Sequence, residues 1–93
     1  MKKSKEKKNQ NVQTYPSWFK GLKYKNGGIV TNPYSNEKCT LTEVELSIYE
    51  LIKSSEFNQF ILGYSDMKTS NNILQGRQWF RENNIEVYWT LID

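Results

Sequence analysis

The segment Leu41–Gly63, LTEVELSIYELIKSSEFNQFILG, sets the tightest limit on how this chain can fold. Thr42 has the character of an N-cap, and Glu45, three residues on, completes a capping box. Leu41 and Leu46 are spaced for a hydrophobic staple. Glu43 and Glu45 suit the positive end of a helix dipole. Val44, Ile48, Leu51, Ile52 and Ser55 fall on one helical face, which Leu46 and Tyr49 widen. Gly63 is a natural terminator. The spacing predicts a helix over Thr42–Gly63, weakest at Ser54-Ser55, where a kink or a break into two helices is the alternative. Phe57, Phe60, Ile61 and Tyr64 carry the apolar content past that point.

Upstream, Leu22–Lys25 and Gly28–Thr31 flank Asn26-Gly27, the preferred pair for a type I′ turn because both positions need positive φ. That hairpin would put Leu22, Tyr24 and Ile29 on one apolar face, against the helix, with Lys23 and Lys25 on the other. Gly27-Gly28 lacks the flanking pattern of a phosphate-binding loop. Asn32-Pro33 starts a turn, and Lys38–Leu41 reads as a third strand leading into the Thr42 cap.

Downstream, a second helix is expected over Asn71–Asn83, with Thr69 or Ser70 as its cap. Ile73, Gly76 and Phe80 share a face, Leu74 and Trp79 flank it, and Gly76 suits close helix packing. Ile85–Asp93 fits two periods. Alternation puts Ile85, Val87, Trp89 and Leu91 on one strand face, whereas helical spacing gathers Ile85, Tyr88, Trp89 and Ile92. Trp89 is expected to be buried. The resulting fold class is α+β: a small antiparallel β-hairpin or three-stranded meander followed by two or three helices.

The length of 93 residues fits one domain. Met1–Lys8 holds Lys2, Lys3, Lys5, Lys7 and Lys8 against one glutamate, so it carries +4, and with +3 in total the rest of the chain carries −1. The basic character belongs to the tail. Residues 1–14 are too polar to offset their ordering entropy and are expected to be a disordered Lys-rich tail, with a single domain over residues 15–93. A core of that size contributes roughly 3–5 kcal/mol of net stability, so self-association is one way to hide leftover apolar surface. Thirteen aromatic side chains supply large burial per residue.

The chemistry a catalyst would use is missing. There is no histidine, and the lone Cys39 lies in a strand where a small buried hydrophobe is the simpler role. No carboxylate or Cys/His set has metal spacing. No cofactor, metal or enzymatic activity is expected, and no apolar run is long enough to cross a bilayer.

The segments YPSWFKG, GGIVTNPYSNE, LTEVELSIYELI, GRQWFRENN and EVYWTLID, in this order, resemble a family of small uncharacterised proteins of tailed bacteriophages. The shared features are a Trp-Phe-Lys opening, a Gly-Gly turn and an Asn-Pro-aromatic-Ser turn. They continue with a Glu-Leu-Ser-aliphatic-Tyr helix, a Trp-Phe-Arg helix and a C-terminal Asp. The resemblance covers Tyr15–Asp93. It implies a viral origin, a place in the host cytoplasm or on the virion, and a helical last segment, but it carries over no activity.

Three readings of function follow. In the first, the chain is a phage accessory protein that binds another protein, host or viral, through Trp18, Phe19, Tyr34 and Arg77; a homo-oligomer is compatible with this. In the second, it inhibits a host defence factor or sequesters a nucleotide signal, with Lys20, Lys23, Lys25, Arg77 and Arg81 meeting phosphates. In the third, the tail lysines give weak, salt-sensitive contact with nucleic acid.

Overall fold

The computed structural model describes residues 13–64 and 66–93. Two strands, β1 (Gly28–Thr31) and β2 (Lys38–Leu41), pair antiparallel as Gly28 with Leu41, Ile29 with Thr40, Val30 with Cys39 and Thr31 with Lys38. Three helices follow: α1 (Glu43–Leu62), α2 (Met67–Asn83) and the short α3 (Ile85–Val87), which continues as a π-helical turn over Tyr88–Ile92. The class is α+β.

The expected three-stranded meander is not formed. Leu22–Lys25 is irregular, and the sheet has two strands. A type I′ turn needs positive φ at both central residues, and neither Asn26 nor Gly27 adopts it. Gly27 serves a different purpose: a Cβ there would collide with the backbone of Leu41 and Thr42. The left-handed residue of the hairpin is Asn36, at φ 66°. Its N–H donates to the Asn32 carbonyl (2.8 Å), and the Asn32 side chain accepts from Tyr34 N–H at 2.8 Å. The hairpin turn is therefore the Asn32–Glu37 loop.

With that pairing the sheet presents a different face inward. Val30 and Cys39 pack against the core beside buried Leu41, whereas Leu22 and Ile29 stand 75% and 69% exposed. In place of a strand, the chain from Tyr15 to Gly27 is pinned to α1 by Ser47. The Ser47 hydroxyl donates to the Glu43 carbonyl (2.7 Å), accepts Tyr24 N–H (2.8 Å) and meets the Tyr15 hydroxyl (2.9 Å).

Helix α1 begins as its sequence dictates. Thr42 Oγ1 accepts Glu45 N–H, and Glu45 Oε1 accepts Thr42 N–H at 2.9 Å, so the capping box is complete. Gly63 closes the helix at φ 73°, with its N–H on Gln59 O. The helix runs unbroken through Ser54-Ser55. Ser55 is buried, and Ser54 donates its hydroxyl back to Leu51 O (3.2 Å).

Helix α2 starts four residues earlier than the sequence suggests. Asp66 is the cap, accepting Thr69 N–H at 2.8 Å, and Thr69 lies buried in the first turn. Gly76 does bring α2 against α1, where an added Cβ would sit 2.5 Å from Ile52 Cγ1. The C-terminal segment is helical, as the resemblance implies, yet Trp89 is 64% exposed and its expected burial does not occur. Asp93 N–H reaches back five residues to Tyr88 O (2.7 Å). Val87, Tyr88, Leu91 and Ile92, at i, i+1, i+4, i+5 spacing, form the buried face of this segment, and Trp89 lies off it. The core is then Phe19, Leu41 and Val44, with Ile48, Tyr49 and Ile52 of α1, Trp79 and Phe80 of α2, and those four side chains.

Candidate functional site

The most deeply buried polar side chains, Glu45 and Ser47, are consumed by structure, whereas Arg77 Nε is buried without a hydrogen-bond partner among the described residues. Glu45 is 3% exposed, and its carboxylate accepts Gln13 Nε2 and Asn84 Nδ2, each at 2.8 Å, besides the Thr42 N–H. It ties together the start of the domain, the cap of α1 and the junction between α2 and α3. Gln13, counted with the tail on composition alone, is part of this knot. Among the described residues no three His, Cys, Asp or Glu side chains gather as a metal set. Burial, then the nearby Glu50 and Glu56 carboxylates, push the Tyr49 hydroxyl above its ordinary pKa, which keeps it a neutral phenol rather than a base.

The cationic candidates do not converge. Arg77 pairs with Glu56 at 3.4 Å, which also holds Lys53. Arg81 donates to the Tyr88 hydroxyl (3.1 Å) and to Gln78, with its guanidinium 5.0 Å from the Tyr88 ring centre. Lys23 lies 4.8 Å over the Tyr15 ring, and Lys25 is exposed. Lys20 lines a cleft of about 480 Å³ between the C-terminal half of α1 and the start of α2, where Lys68, Asp66, Thr69 and Asn58 also project. Lys68 and Arg81 stand thirteen residues apart on α2, about 20 Å along its axis. The tail lysines lie outside the described residues.

The aromatic candidates separate into three settings. Phe19 is in the core, tilted on Tyr15 and edge-on to Trp18, so its ring is not offered to a partner. Tyr34 is 96% exposed at the hairpin tip. Trp18 is half-buried and, with Trp79, frames a groove of about 300 Å³ lined along α2 by Leu74, Gln75, Gln78 and Glu82. Leu74 is exposed at its edge. Trp79 stacks edge-to-face on Phe80 at 5.1 Å, which fixes that wall of the groove.

A second apolar surface escaped the candidate set. Phe57, Phe60, Ile61 and Tyr64 are all exposed at the far end of α1. The signal was present in the spacing, since these residues follow i, i+3, i+4, i+7. Phe57 lies two residues past Ser55, roughly 200° around the helix, so this stripe is out of phase with the core face.

No helix among the described residues is long and apolar enough to cross a membrane. No family model, curated protein or solved structure matches the chain.

Proposed function

We propose that this protein is a non-enzymatic binding module that receives another polypeptide in the Trp18–Trp79 groove. The observation that carries this reading is the groove itself: two indoles and an exposed leucine lining one concave strip, with Gln75, Gln78 and Glu82 as its polar rim. Protein interfaces concentrate their binding energy in such pockets, where a tryptophan is packed at the centre and polar groups close the edge. An apolar side chain of the partner enters between the rings, and its backbone meets the glutamines. The tailed-phage resemblance makes the partner a host or viral protein and the role an accessory one.

The experiment is capture from cells that produce the protein, comparing the parent with Leu74→Glu. A partner held by the parent and lost with Leu74→Glu supports the reading. A partner held equally by both, or none held by either, counts against it.

The nucleotide-signal reading draws on one observation, the Lys20 and Lys68 side chains at the same cleft. Thermal-shift screening with cyclic and linear nucleotides tests it, and a shift abolished by Lys20→Ala would favour it over the groove.

A further inference from the structure

Asn26-Gly27 is the chain's one Asn-Gly step, and the fold leaves it open. Both residues are exposed, at a bend just before β1. Among the described residues nothing hydrogen-bonds the Gly27 N–H or the Asn26 carboxamide. The other described asparagines differ. Asn32 precedes Pro33, which has no N–H. The amides after Asn36 and Asn83 are taken, by Ser35 Oγ at 3.3 Å and Phe80 O at 2.8 Å. Asn84 has its side chain held by Glu45 and Val87. The rest lie inside α1 or α2, where the following N–H belongs to the helix ladder.

We propose that Asn26 is a site of spontaneous deamidation in the folded protein, with the Gly27 backbone nitrogen as nucleophile and water as the co-reactant. Asparagine is among the heat-labile side chains, and glycine has no side chain to obstruct the ring closure. The Gly27 nitrogen gives up its proton and bonds to Asn26 Cγ. The Cγ–Nδ2 bond breaks, ammonia leaves, and a cyclic succinimide remains. Water then opens the ring at either carbonyl. Attack at Cγ leaves an ordinary aspartate. Attack at the backbone carbonyl routes the main chain through the side-chain carbons, as isoaspartate.

The two products differ in what they do to Gly27. Aspartate adds one negative charge beside the exposed Lys25 and keeps the main chain its original length. Isoaspartate inserts one extra carbon into the main chain immediately before Gly27. That glycine already lies so close to the backbone of Leu41 and Thr42 that even a Cβ has no room. Its neighbour Gly28 opens the ladder opposite Leu41, and three residues upstream Tyr24 N–H is fixed on Ser47 (2.8 Å). The added carbon therefore displaces β1 or breaks the Tyr24 hydrogen bond, and the segment before β1 loosens from α1.

The test incubates the full chain, folded and in guanidinium, in warm, mildly alkaline heavy-oxygen water, and maps its peptides by mass spectrometry. Label should enter at position 26 ahead of the other described asparagines, in proportion to hydroxide, and at a comparable rate in folded and unfolded chains. Asn26→Gln should abolish it with the circular dichroism unchanged. Separated by ion exchange, the isoaspartate fraction should unfold at lower urea concentration than the parent, whereas Asn26→Asp should match the parent. A folded chain unchanged at position 26, or converted far more slowly than the unfolded one, overturns the proposal. An isoaspartate fraction as stable as the parent overturns the consequence drawn for β1.

Discussion

Gly76 of α2 lies so close to Ile52 of α1 that a Cβ on the glycine would stand 2.5 Å from Ile52 Cγ1 and 2.8 Å from Cδ1. Ile52 is fully buried and cannot swing aside. Two effects oppose each other in Gly76→Ala. Helix propensity gains about 1 kcal/mol, while overpacking a filled core costs about 1–3 kcal/mol. The clash is deep and its neighbour is held, so the loss wins. Gly76→Ala is expected to lower unfolding free energy by about 1 kcal/mol, measured by urea denaturation; a stabilised variant would mean that the two helices can part without loss.

Ile52 and Leu51 are adjacent but unequal. Ile52 is enclosed between the helices, while Leu51 is half-buried beside Gly21. Ile52→Ala should cost about 2–5 kcal/mol, enough to unfold a domain of this size. Leu51→Ala should cost clearly less. Parallel denaturation curves check the order, and equal curves would contradict the placement of α1's core face.

The Glu45 carboxylate is held by neutral N–H donors from three separate parts of the chain. Removing the acceptor strands those donors. Glu45→Ala is expected to destabilise by about 1–3 kcal/mol for each donor left buried without a partner. Glu45→Gln should recover only part of this, because its amide presents hydrogens to donors. Amide exchange at Asn84 and Thr42 should quicken in both variants; unchanged exchange would show that the knot does not hold these segments.

Much of this architecture could be read from residues, and the misreadings have physical causes. The capping box, the Gly63 terminator and the close approach at Gly76 are local chemistry, and each stands where spacing put it. The first hairpin failed although Asn26-Gly27 is the preferred pair for its turn. A glycine preferred for positive φ is also the residue that tolerates backbone crowding, and at Gly27 the crowding by Leu41 decided the matter. Trp89 was misplaced because the helical face was phased on Ile85 and Trp89, whereas the buried set Val87, Tyr88, Leu91 and Ile92 has the same helical spacing in another phase, and tertiary packing decides between the two. For α2, the Thr69-Ser70 pair masked Asp66 as the cap. On the candidate surface, Trp18 was legible as an aromatic near the core. The groove it forms with Leu74 and Trp79 depends on a tertiary contact that no local period encodes.

Asp66 gives the start of α2 an acid sensitivity. Its carboxylate accepts the Thr69 backbone N–H and bonds to the Thr69 side chain, and these lower its pKa below the ordinary value, with Lys68 adding a smaller pull. A folded-state pKa below the unfolded one means that the contribution is fully present above the unfolded value. It is lost as pH falls through the folded value. Helicity at the α2 start should therefore decline on acidification in the parent. Asp66→Asn, which keeps an acceptor but cannot titrate, should remove that component of the pH profile. Identical acid profiles for the two would contradict the capping role.

The central claim is that the Trp18–Trp79 groove receives a polypeptide, and site-specific photo-crosslinking in the producing cell tests it most directly. A photoreactive residue is placed at Leu74, at the edge of the groove, and separately at the exposed Glu86 on α3 as a control. The account predicts a discrete adduct with another polypeptide from position 74 and none of that mass from position 86. No adduct at position 74, or the same adducts from both positions, would contradict it.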